Sequence, residues 1–195
     1  MRSQLLDIVI YCLGGILRAS SQILATNSVV FEKMLFSLVQ MQEAKTSIVY
    51  LADVAFADME LLLKFCLPHQ SYSTLLETTT VDTIMSVITV AHRFEFEFAL
   101  PFLCKRLLEL VEMPTATQIQ FVERYELDMV LSLWAVKCAS PSRHHKFIIE
   151  LAEHPLDPAT VKLFADKHFE HAMTPKCMRY YVKMQFINQF TKSKT

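Results

Sequence analysis

The residue types able to carry chemistry are sparse in this chain and poorly spaced for it. Cys66 and His69 lie three apart, as a nucleophile and its base can, but Pro68 intervenes and no loop follows that could hold an oxyanion. His168 and His171 are also three apart, on a stretch of helical period, and His144 adjoins His145. Neither pair has a carboxylate or cysteine at the spacing a metal requires. Five cysteines (Cys12, Cys66, Cys104, Cys138 and Cys177) are separated by 34 to 54 residues. An odd number scattered through apolar segments suits buried thiols in a reducing compartment better than a disulfide framework. Glu95, Glu97, Glu123 and Glu126 fall at corners between helical patterns, where solvated charge and helix-end stabilisation account for them. The residues therefore predict no catalytic group, cofactor or metal, and the chain reads as a non-enzyme.

Composition narrows the classes further. An apolar content of 52% over 195 residues is ample for one large core or two small ones. Only two glycines occur, adjacent at Gly14-Gly15, so there is one tight turn and no glycine-rich phosphate cradle. Net charge is −1, and the only basic cluster is the Lys192-Ser193-Lys194 tail, which gives no footprint for nucleic acid. No run reaches the ~18 apolar residues of a membrane span. Arg2 followed by Leu5 to Leu17 has the outline of a short signal peptide, but Asp7 interrupts it and the same residues make a hairpin. The expected location is cytoplasmic, nuclear or both.

The elements follow from periodicity. Leu6 to Leu13 and Ile16 to Arg18, split by the glycine pair, predict two paired strands. Ile23 to Leu35 is an apolar helical pattern broken at Asn27-Ser28, where a side-chain oxygen can cap the next helix; Phe31, Met34 and Leu35 then share one face. Ser47 to Leu51 alternates as a strand, and Phe56 to Leu67 returns to helical period before Pro68. Ser71 to Thr80 is rich in Ser and Thr and predicts a loop. A helix opens at Val81-Asp82, with Ile84, Val87, Ile88 and Ala91 on one face. Phe94-Glu95-Phe96-Glu97-Phe98 alternates as a strand does, but its length between two helical patterns makes it a corner. Thirty-one residues on, Val122 to Met129 repeats the chemistry of Ala91 to Phe98, so the later residues read as further helical hairpins. Helices are expected from Pro141 to Glu153, from Asp157-Pro158 through Ala172, and from about Pro175 to Phe190.

The order Ile23-Leu24-Ala25, Ser28, Phe31, Met34, then Leu51-Ala52-Asp53-Val54 and an apolar helix resembles the BTB/POZ domain, from about Leu6 to Leu110. The resemblance implies an α+β fold, mainly helical, in which a short sheet with helical hairpins forms residues 1–113 and stacked C-terminal helices, similar to a BACK extension, form 114–195. Asp7, Leu24, Phe31, Met34 and Asp53 stand at the signature positions. Ser20-Ser21 occupy the place of the family's His and basic residue, so Asp7 has no basic partner from that position and a repressor role ranks lower. Family members carry a helix ahead of the first strand that swaps within a dimer. Only six residues precede Asp7, and the homodimer implied by the family is weakened accordingly.

Members that bind cullins carry a hydrophobic-any-glutamate triplet after the second helix, and Met41-Gln42-Glu43 looks like it. On that likeness Met41 fills a pocket of a cullin 3 scaffold, Glu43 fixes the turn or meets a donor, and Phe94 lies beside the contact surface. Phe94 also reads as an aromatic plug of the helical core. The implied function is an adaptor linking an unknown substrate protein to a cullin 3 RING ubiquitin ligase. The alternative is a self-association scaffold or transcription regulator that meets no cullin.

Overall fold

Apolar alternation and the glycine pair produce the expected hairpin: β1 (Ile8–Leu13) runs antiparallel to β2 (Gly15–Ala19), and Gly14 turns between them at φ 91°. The computed structural model describes residues 6–36, 46–67, 72–139, 147, 151 and 154–171. By its contacts the chain divides into two units, Met1–Leu110 and Val111–Thr195.

In the first unit β3 (Ile48–Ala55) joins the hairpin as a parallel strand, giving the order β2-β1-β3. Its pairing runs in step from Val9 opposite Ile48 to Cys12 opposite Leu51, then shifts so that Leu13 faces Ala55. The bulge lets both Leu51 and Val54 enter the core while Asp53 points to solvent. The strand is longer than the Ser47 to Leu51 pattern indicates, because the bulge breaks the period of two. Gly15 is pressed against α3 (Phe56–Phe65), where a β-carbon would run into the Phe56 ring.

Between β2 and β3 stand α1 (Ser21–Asn27) and α2 (Val29–Phe36), separated at Ser28 as expected. The Ser71 to Thr80 stretch is not all loop. It contains α4 (Tyr72–Leu76), held by Tyr72, whose ring stacks on Phe65 at 5.1 Å and meets Phe102 at 4.4 Å. Tertiary contact of one aromatic residue overrides the loop-forming composition around it. Then α5 (Val81–Arg93), capped by Thr80 accepting from the Thr83 amide at 3.2 Å, buries Ile84, Val87, Ile88 and Ala91. It packs against α6 (Leu100–Leu110), which buries Leu103, Cys104, Leu107 and Leu108.

The second unit has α7 (Ala116–Arg124), α8 (Asp128–Cys138) and α9 (Pro158–His171). Thr115 and Gln118 form a reciprocal capping box at the start of α7, with bonds of 3.3 and 2.9 Å. The fully buried Trp134 anchors α8, and α9 packs on the same helix. Asp157 caps α9 by accepting from the Ala159 amide at 2.8 Å, as the Asp-Pro pair indicates. Phe147 and Leu151 are buried; the rest of the helix expected over 141–153, and all of that expected from 175 to 190, lie outside the described residues.

The repeat at 31 residues is real in backbone geometry. In the first copy the Phe94 amide bonds to the Val90 carbonyl, and Glu95 adopts φ 54° so that the Phe96 amide reaches the Ala91 carbonyl at 2.8 Å. In the second, Tyr125 bonds to Phe121, Glu126 adopts φ 52° and Leu127 reaches Val122 at 3.0 Å. Both are helix ends closed by a left-handed residue, with glutamate in the place glycine normally takes. The fold is α+β and mainly helical, with a three-stranded sheet and helical hairpins.

Candidate functional site

Two signature residues, Phe31 and Asp53, are fastened at one corner of the first unit. Ser28 stands between α1 and α2 and is almost fully buried; its Oγ accepts from the Phe31 amide at 3.0 Å, capping α2, and donates to the Phe94 carbonyl. One hydroxyl therefore ties the start of α2 to the end of α5, 66 residues away in sequence. The aromatic rings seal the joint: Phe31 lies 5.2 Å from Phe94 and 5.8 Å from Phe96. Above them the Arg93 guanidinium sits 5.1 Å from the Phe94 ring centre and donates to Asp53 of β3. The Asp53 carboxyl is held below its ordinary value mainly by that hydrogen bond from Arg93. Strand, helix hairpin and corner are thus fastened by Ser28, Phe94 and the Asp53–Arg93 pair.

The other signature residues divide by burial. Leu24, like Phe31, is fully buried, whereas Met34 is half-buried. Asp7 is exposed, and Ser21 is its partner: the Ser21 amide donates to one carboxylate oxygen at 2.8 Å and Ser21 Oγ to the other at 2.6 Å. Burial acts to raise the Asp7 pKa, but the two bonds from Ser21 outweigh it and the carboxyl lies below its ordinary value. From position 21 Asp7 thus receives the first amide of α1 and a hydroxyl, where the family resemblance implies a basic side chain.

Phe94 is 4% exposed, so its ring cannot serve as an open contact. It is the aromatic plug of the corner, and any part it has in binding is through the shape it gives that corner. Met41 and Glu43 lie outside the described residues. His69, His144, His145 and Cys177 lie outside them too, and so do the side chains of His168 and His171.

The remaining thiols have the electrostatics of core residues. Burial pushes Cys66 up to about 12 and Cys104 and Cys138 up to about 11, and raises Cys12 as well. A nucleophilic cysteine requires the opposite shift. Among the described residues no group of His, Cys, Asp and Glu has the arrangement to hold a metal ion, and no helix is long and apolar enough to cross a membrane.

Two polar features escape sequence reasoning. Asp58 is buried in the first turn of α3 and accepts from Ser86 of α5. On the chain alone it reads as an ordinary acid near a helix start. Arg106 looks like a surface residue of α6, yet its Nη2 donates to the Glu77 carbonyl at 2.9 Å, and a groove lies beside it. Both depend on partners about 28 residues away that no local pattern marks.

Compared with known protein families, residues 1–109 match the BTB/POZ domain. No curated protein matches the chain.

Proposed function

This chain belongs to the BTB/POZ family, whose domains mediate protein–protein interaction, and we propose that it is an adaptor joining a substrate protein to a cullin 3 RING ubiquitin ligase. The observation that carries the reading is the outer face of α2. Val29 and Phe36, seven residues apart and so on one side of the helix, are 45% and 58% exposed. Val29 and Phe36 share that side with the exposed Glu32 and Lys33, and in sequence Phe36 stands five residues ahead of Met41. A methionine adapts to an irregular pocket, and an exposed aromatic side chain such as Phe36 supplies the area of an interface anchor. The helical region after residue 113 is the part that would extend the cullin contact or meet the substrate.

Isothermal titration of the whole chain with the N-terminal region of cullin 3 tests this. The parent is expected to bind, and a Met41→Ala, Glu43→Ala double variant with an unchanged circular dichroism spectrum is expected to lose at least ~2 kcal/mol, the scale of an interface hot spot. A folded parent that does not bind would overturn the adaptor reading.

A second reading, the self-association scaffold, draws on the outer sheet face. Tyr11, Leu13, Ile16 and Tyr50 are exposed there, with Tyr11 stacked on Tyr50 at 5.0 Å and paired across the hairpin with Ile16. Contiguous apolar surface of this kind favours association. If a Tyr50→Glu variant sediments as the parent does at every concentration, that face plays no part in self-association.

A further inference from the structure

The α8 helix is apolar nearly all round. Of its 11 residues only Asp128, Ser132 and Lys137 are polar. One side enters the core of the second unit through Val130, Leu131, Trp134, Ala135 and Cys138, and α9 packs on this helix. The other side carries Met129, Leu133 and Val136, which helical spacing sets in one row and which are 56%, 44% and 47% exposed. The neighbouring α7 has no such row, since beyond the buried Ala116, Ile119 and Val122 it is built mostly of Thr, Gln, Glu and Arg. A helix that is hydrophobic all round belongs in an interior, yet no described residue covers this row.

The sequence after α9 has the complementary pattern. Residues 172–195 contain Lys176, Arg179, Lys183, Lys192 and Lys194 and no acid, and Met178, Val182 and Phe186 recur at helical spacing with Tyr181 beside them. From Met178 to Phe186 is about 12 Å along a helix, and from Met129 to Val136 about 10 Å, so the two rows match in length. The path fits as well. The Asp157 amide donates to Glu123 at 3.1 Å, so α9 starts at the corner where α7 gives way to α8. Packed on α8 from that corner, α9 leads the chain toward the far end of α8 and stops at His171. Residues 172–174 then suffice as a link, because helix-to-helix connections of about two to eight residues are common. A helix turning back along α8 from there carries Lys192 and Lys194 to the start of α8, where Glu126 and Asp128 are exposed.

We propose that the segment from Pro175 to Phe190 docks as a helix on the outer row of α8, antiparallel to it. Met178 meets Val136, Val182 meets Leu133 and Phe186 meets Met129, while Lys192 and Lys194 face Glu126 and Asp128. Removal of both apolar rows from water drives the contact, and the path from His171 sets its direction. A partner reaches this row of α8 only by displacing the segment. The inference goes beyond the adaptor reading, because the contact lies within the second unit and involves nothing of the Met41–Glu43 segment.

Peroxide footprinting of the whole chain, read residue by residue by mass spectrometry, tests the contact. Uncovered, Met129 would be a ready target for oxidation to the sulfoxide. In the parent it is expected to oxidise slowly, and severalfold faster in a Val182→Glu, Phe186→Glu variant, with Met34 of the first unit alike in both. Amide exchange gives a second measurement that leaves the segment itself unaltered. Leu133→Glu, a change on an exposed side chain, should speed exchange across residues 178–190 roughly tenfold or more while residues 130–138 keep their protection. Met129 that oxidises equally fast in parent and double variant, or a segment whose exchange ignores Leu133→Glu, would overturn the proposal. Protection of Met129 that fades on dilution would do so too, by assigning the row to a second copy of the chain.

Discussion

At the scale of single residues, Ser28 carries more than its size indicates. It is the cap that the Asn27-Ser28 break promises, yet its hydroxyl also reaches the Phe94 carbonyl in the core. Ser28→Ala leaves a buried amide and a buried carbonyl without a partner, each a desolvation loss that no new contact offsets. The expected cost is about 2–3 kcal/mol. Thr115→Ala removes an exposed cap with the same local pattern and should cost about 1 kcal/mol or less. Urea denaturation of the two variants measures the difference, and equal losses would show that the Phe94 bond adds nothing. Asp7 shows the complementary case. That position 21 gives Asp7 no basic partner is legible in the sequence, since a serine stands there, but its use as an acceptor for both Ser21 donors is a matter of geometry.

At the scale of elements, the two Arg-aromatic-Glu corners are the same device used twice. A left-handed conformation brings the β-carbon of an ordinary residue close to the following carbonyl, and glycine avoids that cost. Among the described residues no hydrogen bond or ion pair holds the side chain of Glu95 or Glu126, so neither position has an evident reason to keep a carboxylate for stability. Glu95→Gly and Glu126→Gly should each raise stability by about 0.5–1 kcal/mol, offset in part by the greater freedom of glycine in the unfolded chain. For a chain of this length that is a rise in Tm of roughly 1–4 °C, readable by calorimetry. A drop in Tm at both sites would mean the left-handed glutamates are held by interactions stronger than their strain. The repeat of Ala91 to Phe98 in Val122 to Met129 is visible from residue types, and its meaning as a helix stop follows from the break in period. The φ values themselves are not visible, because glutamate is an uncommon choice for such a position.

At the scale of the whole molecule, the thiols make stability depend on pH in one direction. Cys66, Cys104 and Cys138 keep their protons in the folded state to about pH 11 or 12, while the unfolded thiols ionise from about 9. Between those values the unfolded state binds fewer protons, so stability falls as pH rises; below 9 both states are protonated and the thiols add no slope. Each contributes at most about 1.4 kcal/mol per pH unit inside its window. Denaturation of parent and Cys66→Ala between pH 9 and 11 should give a shallower decline in the variant. Parallel declines would mean that Cys66 ionises alike in both states. The same burial argues against any role for these cysteines as nucleophiles, a conclusion that their scattered spacing already supports.

The sequence by itself determined what short-range physics controls. The glycine pair set the hairpin, the three- and four-residue apolar spacing set most helices, Ser28, Val81-Asp82 and Asp157 marked helix starts, and the order of motifs pointed to the BTB/POZ family. Tertiary structure alone decided what depends on residues far apart in the chain. Ser28 meets Phe94 across 66 positions, Arg93 meets Asp53 across 40, and Arg106 meets Glu77 across 29. The same distance effect made a helix of Tyr72–Leu76, whose local composition favours a loop, because stacking on Phe65 and Phe102 outweighs a weak propensity. It buried Phe94 as well: a ring at a helix corner can face solvent or core with equal ease, and only the packing of Phe31 beneath it fixes which.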